Sequence, residues 1–507
     1  MKKAVSLFLC IVLFGVFLAG CGKNESAVSQ IVIARNLDIT DLDPTSTNDN
    51  TSIWTLSLLL EGLVKASDDG KKIEPSLAKS WEISSDGLTY TFHLIPNLKF
   101  SDGTPVKGED WVFSFERAKN TAEKYWKFAA ENITEVTAPD DQTLVVKIKE
   151  PNASTLSYFS MFNMTVQSKA AYEKAGSYAE KGPIGTGPYY VKEWVKDNYL
   201  LLEKNPYYHA QGEPKTAQIK FVVVPDDNAR VMQLQSGAVD IITDVPYSSM
   251  ATLKNANDIQ TMGIPSTSDR YLVFNTTDPI LGNAKVRQAL LYATNKQDIV
   301  NMVLNGYGEA AISYMPKNGL FWNDQIQPAP YDVEKAKALL KDAGYPNGFE
   351  VEILVRSGNA VFEQIATIIK EQWAKAGVKV NLVSLDTASL LERQNNMKHQ
   401  IVIGSWTDDL LDPSQLGSYF WDYKVSKSFY TGYQNQTASA IFKQACIELD
   451  DNKRADMYKT LQKILYDDSP VINLYHSEFP VALKKNIQGF VQTPLGAYRF
   501  DNLVKTK

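Results

Sequence analysis

The chain has 507 residues, too many for one compact core, so its length predicts two or three domains. Hydrophobic residues make up 44% of it and charged residues 22%, as in an ordinary globular protein, and its net charge is -6. Removal of residues 1–20, which contain Lys2 and Lys3, would bring the charge to -8. An acidic chain argues against nucleic acid as a partner.

The N-terminus has the pattern of a secretory signal. Two lysines precede an apolar run over residues 4–18, and the chain becomes polar directly after Cys21. The sequence LAGC at 18–21 resembles the lipobox of bacterial lipoproteins, in which a peptidase cuts before an acylated cysteine. We expect residues 1–20 to be a cleaved signal peptide and Cys21 to carry a membrane-anchoring lipid. The alternative is an uncleaved membrane span, but the run is shorter than the roughly 20 residues that a span needs.

Antiparallel strands and tight turns are predicted in the first half of the chain. The segment GLTYTFHL at 87–94 alternates polar and apolar residues, and KFSDGTPV at 99–106 carries an Asp-Gly turn. The glycines of GTGPY at 185–189 predict a turn that leads into the strand YYVKEW, and we favour this role over ligand contact.

A parallel strand–helix–strand unit is predicted further along. FEVEILV at 349–355 and VKVNLVS at 378–384 flank the segment 362–377, whose apolar residues repeat with helical spacing. One helical face collects Phe362, Ile365, Ala366, Ile369, Trp373 and Ala376. Two strands joined by such a helix form a right-handed parallel unit, so the fold class is mixed α/β with some antiparallel sheet.

The usual catalytic and metal-binding signatures are missing. The four histidines are scattered, without HExxH or any close pair, and the chain has no GxSxG, no Walker loop and no GxGxxG after a strand. The chain without its signal region keeps one thiol, Cys446, which predicts a buried apolar residue rather than a nucleophile. We therefore expect neither an enzyme nor a bound cofactor or metal.

Eight segments, in order along the chain, carry a family resemblance. They are LDPTSTND with LLLEGLVK (42–65), PSLAKSWEISSDGLTYTFHL (75–94), KFSDGTPVKGEDWVFSFERA (99–118), GPIGTGPYYVKEW (182–194), YLVFNTTDPILGNAKVRQALLYATNK (271–296), AKALLKDAGYPNG (336–348), EQWAKAGVKV (371–380) and GSWTDDLLDP (404–413). In these segments the chain resembles the extracellular solute-binding proteins of peptide ABC transporters, the oligopeptide- and dipeptide-binding proteins.

The resemblance implies a periplasmic-binding-protein-like fold with two lobes that close on a ligand. Residues 21–66, 185–270 and 483–507 would form the first lobe, 67–184 a small inserted domain and 271–482 the second lobe. Hinge strands are expected near 266–274 and 477–484. The protein would be a lipid-anchored monomer outside the cytoplasm that delivers short peptides to the permease of an ABC importer.

Asp409 is the residue that the resemblance selects for the peptide amine, because the acid three positions after the tryptophan has that role in the family. A receptor for varied peptides must bind their constant charged ends and backbone, and a desolvated carboxylate suits the ammonium group. Asp408 is the rival by position, Asp412 has the pattern of a turn residue, and a helix cap is the structural alternative for Asp409. The peptide backbone would lie beside Gly404, Ser405, Trp406 and Thr407, with Asn48, Asp49 and Asn50 opposite.

Arg356 is the candidate for the peptide carboxylate. It follows the strand at 349–355 and precedes a helix, at the carboxyl end of a strand where open α/β sheets bind ligands. An arginine in this segment has that role in dipeptide-binding relatives, and a solvated surface arginine is the alternative. Other cargoes of the family, namely nickel chelates, glutathione or haem, stay open, and a hydrolase or chaperone is disfavoured by the missing catalytic residues.

Overall fold

The computed structural model describes residues 29–120, 126–179, 181–317, 319–427 and 429–506. The predicted signal peptide at 1–20 and the predicted lipidation site Cys21 lie outside the described residues. Within the described ranges, no helix combines the length and the apolar character needed to cross a membrane.

The strands of the described residues are short except for two. They are β1 Gln30–Arg35, β2 Val64–Ala66, β3 Ile73–Pro75, β4 Ala78–Ile83, β5 Thr89–Leu94, β6 Ile133–Asp140, β7 Thr143–Ile148, β8 Tyr189–Val195, β9 Tyr199–Lys204, β10 Gln218–Val223, β11 Ile241–Ile242, β12 Ile259–Phe274, β13 Glu309–Ala310, β14 Phe349–Arg356, β15 Val378–Leu385, β16 Ile401–Trp406, β17 Val471–Lys484, β18 Ile487–Gln488 and β19 Val504–Lys505.

The α-helices of the described residues alternate with these strands. They are α1 Asn50–Leu56, α2 Gly108–Asn120, α3 Thr155–Phe159, α4 Lys169–Ala175, α5 Asp227–Ser236, α6 Tyr247–Lys254, α7 Ala284–Tyr292, α8 Lys296–Leu304, α9 Val333–Asp342, α10 Ala360–Ala374, α11 Thr387–Asn395, α12 Ser414–Trp421, α13 Tyr423–Ser426, α14 Gln436–Ile447 and α15 Asp451–Asp468.

A sheet of eleven strands runs through the molecule, in the order β15-β14-β16-β12-β17-β11-β1-β10-β9-β8, with β13 paired to β17. β14 and β15 pair in parallel over their whole length, and α10 connects them. The predicted apolar face of α10, from Phe362 to Trp373, is buried because it packs against this sheet. The predicted parallel unit and the mixed α/β class are therefore confirmed.

A second, smaller sheet lies within residues 78–148. Its four antiparallel strands have the order β4-β5-β7-β6, and β5 is the alternating segment predicted from GLTYTFHL. Trp111 and Phe115 of α2 are fully buried in its core. The predicted turn at 99–106 also forms, because Thr104 N donates to Asp102 Oδ1 at 2.9 Å and Gly103 has a φ of 86°.

The two longest strands, β12 and β17, connect the two halves of the large sheet. They pair antiparallel from Ile259 with Lys484 to Val273 with Val471, and the register is irregular between Pro265 and Asp269. Strands from residues 30–35 and 189–242 lie on one side of this pair, and strands from 349–406 lie on the other. The predicted hinge segments fall within β12 and β17.

Gly185 and Gly187 have a structural role in the GTGPY segment. A Cβ atom on Gly185 would lie 2.2 Å from the carbonyl oxygen of Leu59, and one on Gly187 would lie 2.5 Å from the carbonyl carbon of the same residue. The Gly187 N–H donates to that oxygen at 3.0 Å. Only glycine permits this close backbone approach, so the structure supports the predicted turn into β8.

Candidate ligand-binding site

Two adjoining cavities lie beside the loop that bears Asp409, and the Arg270 cavity opens between the halves of the large sheet. The Arg270 cavity has a volume of about 480 Å³, and the Arg499 cavity has a volume of about 490 Å³. Each cavity is named after an arginine that lines it and does not line the other. Asn50, Trp54 and Asp409 line both. The two cavities therefore meet at Asp409.

Most of the predicted ligand-binding residues line the Arg270 cavity. These are Asn48, Asn50, Ser405, Trp406, Thr407 and Asp409. β16 pairs with β12 up to Trp406, which places the following residues at the carboxyl end of the strand. α1 brings Asn50 and Trp54 to the same space from the other half of the sheet. Residues far apart in sequence thus face one another across the cavity.

The loop that follows β16 is held from both ends. Asp408 N donates to Thr267 Oγ1 at 3.0 Å, and the side chain of Gln415 donates from Nε2 to Asp409 Oδ2 at 2.9 Å. Gln415 belongs to α12, whose N-cap residue is Pro413. Asp409 therefore caps no helix, and its carboxylate is oriented by a side-chain amide.

Beyond Asp409 the loop is anchored in the protein interior. Leu410 is buried in the core of the small sheet. The buried carboxylate of Asp412 pairs with Arg454 at 2.9 Å and accepts a hydrogen bond from Ser154 Oγ at 2.9 Å. Asp412 Oδ1 also accepts from Ser414 N at 3.0 Å, as expected for the predicted turn residue. These contacts tie the loop to residues 67–184 and make it a rigid support for the cavity wall.

The carboxyl groups of Asp408 and Asp409 are perturbed in different degrees. Burial raises the pKa of Asp409 to about 7, and the Gln415 hydrogen bond opposes this shift. Burial raises the pKa of Asp408 well above its ordinary value, and the neighbouring charge of Asp409 raises it further. Asp409 therefore ionises first, and neither group has an ion-pair partner among the described residues.

Asp49 caps helix α1, a position that differs from the one predicted for it beside the ligand. Its side chain accepts a hydrogen bond from Ser52 N at 2.9 Å and another from Thr40 Oγ1, and it lines neither cavity. An N-terminal amide of a helix needs such an acceptor, and Asp49 precedes α1 directly. Its neighbours Asn48 and Asn50 face the cavity instead.

Gly404 also differs from its predicted place. It does not line either cavity, because its Cα is covered by the ring of Tyr271 on β12. A Cβ atom there would lie 2.3 Å from Tyr271 Cε2. Gly404 thus lets β16 pack against an aromatic ring, and the segment beside the cavity begins at Ser405.

Arg356 is not brought together with Asp409. It ends β14, its side chain is exposed, and it lines neither cavity. Its guanidinium carbon lies 5.9 Å from the ring centroid of Phe362. The arginine that shares a cavity with Asp409, Ser405 and Trp406 is Arg270 on β12.

Three residues of the site were not singled out from the sequence. Trp54 and Arg270 enter through α1 and β12, and Gln415 enters through α12. For Arg270 a sequence signal exists, because a charged residue directly precedes the apolar strand YLVF at 271–274. Trp54 lies on a short helix whose partners are set only by tertiary packing.

The Arg499 cavity has its own polar wall. His209 Nε2 lies 3.0 Å from Glu61 Oε1, and Tyr208 donates its hydroxyl hydrogen to Asp501 Oδ1 at 2.8 Å. Although these acids lie close together, no group of three or more His, Cys, Asp or Glu side chains in the described part of the chain could hold a metal ion. The cavity is a polar extension of the space beside Asp409.

Residues 72–428 match the model of the bacterial extracellular solute-binding proteins, family 5 Middle. The chain belongs to this family. Its members are solute-binding proteins of transport systems rather than enzymes, and they work outside the cytoplasm. The two-lobed fold and the cavity between the halves of the sheet agree with this assignment.

Relatives and solved structures cover nearly the whole chain. It is 31% identical to the dipeptide-binding protein of Escherichia coli K12, over 90% of this chain and 90% of the relative. It is 30% identical to heme-binding protein A of Haemophilus influenzae, over 94% and 95%. The structure of the periplasmic binding protein DppA of Helicobacter pylori with the peptide STSA aligns with a TM-score of 0.81 at 26% identity, over 94% of this chain and 98% of that one.

Proposed function

We propose that this protein captures short peptides with a free amino terminus in the Arg270 cavity and delivers them to the permease of an ABC importer. The observation that carries the proposal is the carboxylate of Asp409, which lines the cavity without a cationic partner among the described residues. A peptide ammonium group would supply the missing charge, and desolvation on closure would strengthen the pair.

The peptide backbone would lie beside Ser405, Trp406 and Thr407, where β16 ends and its neighbour β12 continues. This arrangement binds what all peptides share and leaves side chains in the hydrated cavity space. One relative is named a dipeptide-binding protein, and another similar protein was solved in complex with a peptide. Both support this choice of cargo.

The proposal is tested with a pool of randomised di-, tri- and tetrapeptides, supplied with free or acetylated amino termini. The protein is denatured after washing, and released ligands are identified by mass spectrometry. We expect free-amine peptides to be retained and acetylated ones to be lost. Equal retention of both forms would contradict the role of Asp409, and release of haem would favour the cargo named for the Haemophilus relative.

We also propose that Cys21 is acylated and holds the mature protein at the outer face of the membrane. The LAGC sequence supports this, since a peptidase that cuts before the cysteine would leave Cys21 as the first residue. Cys21→Ser should therefore abolish membrane retention or processing, as measured by fractionation and mass. A variant that fractionates and migrates like the wild type would contradict lipidation.

A further inference from the structure

We infer that Arg270, rather than Arg356, binds the carboxylate end of the peptide and so limits its length. The inference rests on the proposed function, because it assumes a peptide with its amine at Asp409. Arg270 is the single positively charged side chain among the described residues that line the Arg270 cavity, whereas Asp244, Asp409 and Glu478 contribute carboxyl groups there.

The hydrogen bonds of Arg270 leave one edge of its guanidinium group without hydrogen-bond partners. Nη1 donates to Ser268 Oγ at 3.0 Å and to the carbonyl oxygen of Asp269 at 3.2 Å. Nε is buried without a hydrogen-bond partner, and the hydrogen bonds of Arg270 to described residues come from Nη1, not Nη2. The Nε and Nη2 edge is one through which arginine binds a carboxylate with two parallel hydrogen bonds.

Other arginines of the described chain have protein partners for most of their guanidinium group, although Arg35, Arg230 and Arg499 each also have a buried Nε without a hydrogen-bond partner. Arg454 pairs with Asp412 and Arg117 with Asp43, while Arg287 donates to three backbone carbonyl groups. A guanidinium group that is largely buried and incompletely hydrogen-bonded costs free energy unless a ligand completes its bonds. Arg270 combines this incomplete set with a place in the cavity that Asp409, Ser405 and Trp406 line together, which is why we assign it a ligand.

Strand geometry gives the peptide a direction. Arg270 lies directly opposite Ser405 in the antiparallel pairing of β12 with β16, and Asp409 follows Ser405 by four residues. A peptide with its amine at Asp409 that runs back along Thr407 and Ser405 therefore points its carboxylate at Arg270. Four residues of chain reach at most about 14 Å, so the two charged ends of the site suit peptides of at most four residues.

The test is a thermodynamic cycle by titration calorimetry. A tripeptide retained from the pool is titrated as the free acid and as the C-terminal amide, into the wild type, Arg270→Gln and Arg356→Gln. Amidation should weaken binding to the wild type and to Arg356→Gln by about 30-fold or more, because it removes one partner of a desolvated charge pair. Arg270→Gln should bind acid and amide alike, and a hexapeptide acid should bind the wild type more weakly than the tripeptide acid.

Two results would overturn the inference. One is an acid-to-amide ratio in Arg270→Gln equal to that of the wild type, and the other is a ratio near one in Arg356→Gln. If Arg270→Gln does not unfold cooperatively, Arg270→Lys is used in its place. Lysine keeps the charge but cannot form the two parallel hydrogen bonds to a carboxylate. An acid-to-amide affinity ratio in Arg270→Lys equal to that of the wild type counts against the inference. Loss of binding on acetylation, alongside an unaltered amidation ratio, would retain the proposed function and reject Arg270.

Discussion

Asp408 and Asp409 are adjacent in the chain, yet their environments give them different roles. Burial raises the pKa of both carboxyl groups, and the charge of Asp409 adds to the shift of Asp408. Two carboxyl groups this close do not ionise together easily, so the proton stays on Asp408. Asp409, which ionises first and faces both cavities, is the one able to pair with an ammonium group.

Asp409→Asn should weaken binding of free-amine peptides much more than Asp408→Asn does. Removing one partner of a desolvated charge pair costs about 2–5 kcal/mol, or roughly 30-fold to several thousand-fold in affinity. Asp408→Asn resembles the protonated state of that residue and serves as the matched control. Titration calorimetry measures the peptide affinity of both variants. Equal losses of affinity in the two would contradict the role of Asp409 as the partner of the ammonium group.

Peptide binding should release protons below pH 7. In the free protein the pKa of Asp409 is about 7, so this carboxyl group is mostly protonated at pH 6, and a bound ammonium group favours its ionised form. We expect release of about one proton per peptide at pH 6. At pH 8 we expect net proton uptake, because Asp409 is already ionised and part of the free peptide amine must be protonated to bind. Calorimetry at one pH, in two buffers of different ionisation enthalpy, measures it. Asp409→Asn should show no such release; release unchanged in that variant would point to another group.

The raised pKa of Asp409 also makes the stability of the empty protein depend on pH. A carboxyl pKa raised from about 3.9 in the unfolded chain to about 7 means that the folded protein holds a proton that the unfolded chain has lost. Asp409 therefore contributes less to stability as the pH rises from about 4 to 7 in the empty protein. A peptide ammonium group would remove this cost, which is one reason why binding should stabilise the protein.

Among the elements, α1 shows how a cap can serve a site without touching the ligand. Asp49 closes the first turn of α1, and the same turn presents Asn50 to both cavities. Asn48, Asp49 and Asn50 are all polar, so residue type does not show which of them caps the helix and which face the cavity. Helix geometry decides which side chain bonds backward to the chain and which ones face the cavity.

Asp49→Ala should lower the free energy of unfolding by about 0.5–2 kcal/mol, the usual cost of a lost N-cap. Asp49→Ser keeps an oxygen that can accept from Ser52 N, so it should retain most of the stability. Chemical denaturation compares the two variants. Neither change should alter the affinity ratio of free to acetylated peptide, and a changed ratio would return Asp49 to the ligand-binding residues.

At the scale of the whole molecule, β12 and β17 are the continuous connection between the halves of the large sheet. Their register is irregular between Pro265 and Asp269, where fewer ladder hydrogen bonds resist bending. We propose that the predicted lobes at 21–66, 185–270 and 483–507 and at 271–482 move about this point, with 67–184 as the inserted domain. Leu410 and Asp412 contact residues 67–184, so the inserted domain would either move with the second lobe or restrict its movement.

A bound peptide should therefore compact the protein and raise its melting temperature. A ligand held by both lobes favours the closed state, and the added stability grows with the logarithm of ligand concentration. Small-angle scattering measures the compaction and calorimetric melting the stability, with acetylated peptide as the control. Scattering curves that coincide with and without a saturating free-amine peptide would argue against lobe movement.

The sequence by itself determined the α/β class, the parallel unit at 349–384, the family and the loop that bears Asp409. These depend on local periodicity and on short segments whose order is fixed by the chain. Only tertiary structure brings Arg270 into the proposed site, because Arg270 and Ser405 are 135 positions apart and meet through strand pairing. Tertiary structure also places Gly404 against the ring of Tyr271 on the neighbouring strand, whereas Asp49 caps its helix through the nearby residues Ser52 and Thr40. Burial raises the pKa of both Asp408 and Asp409, and this burial cannot be predicted from a run of aspartates in the sequence.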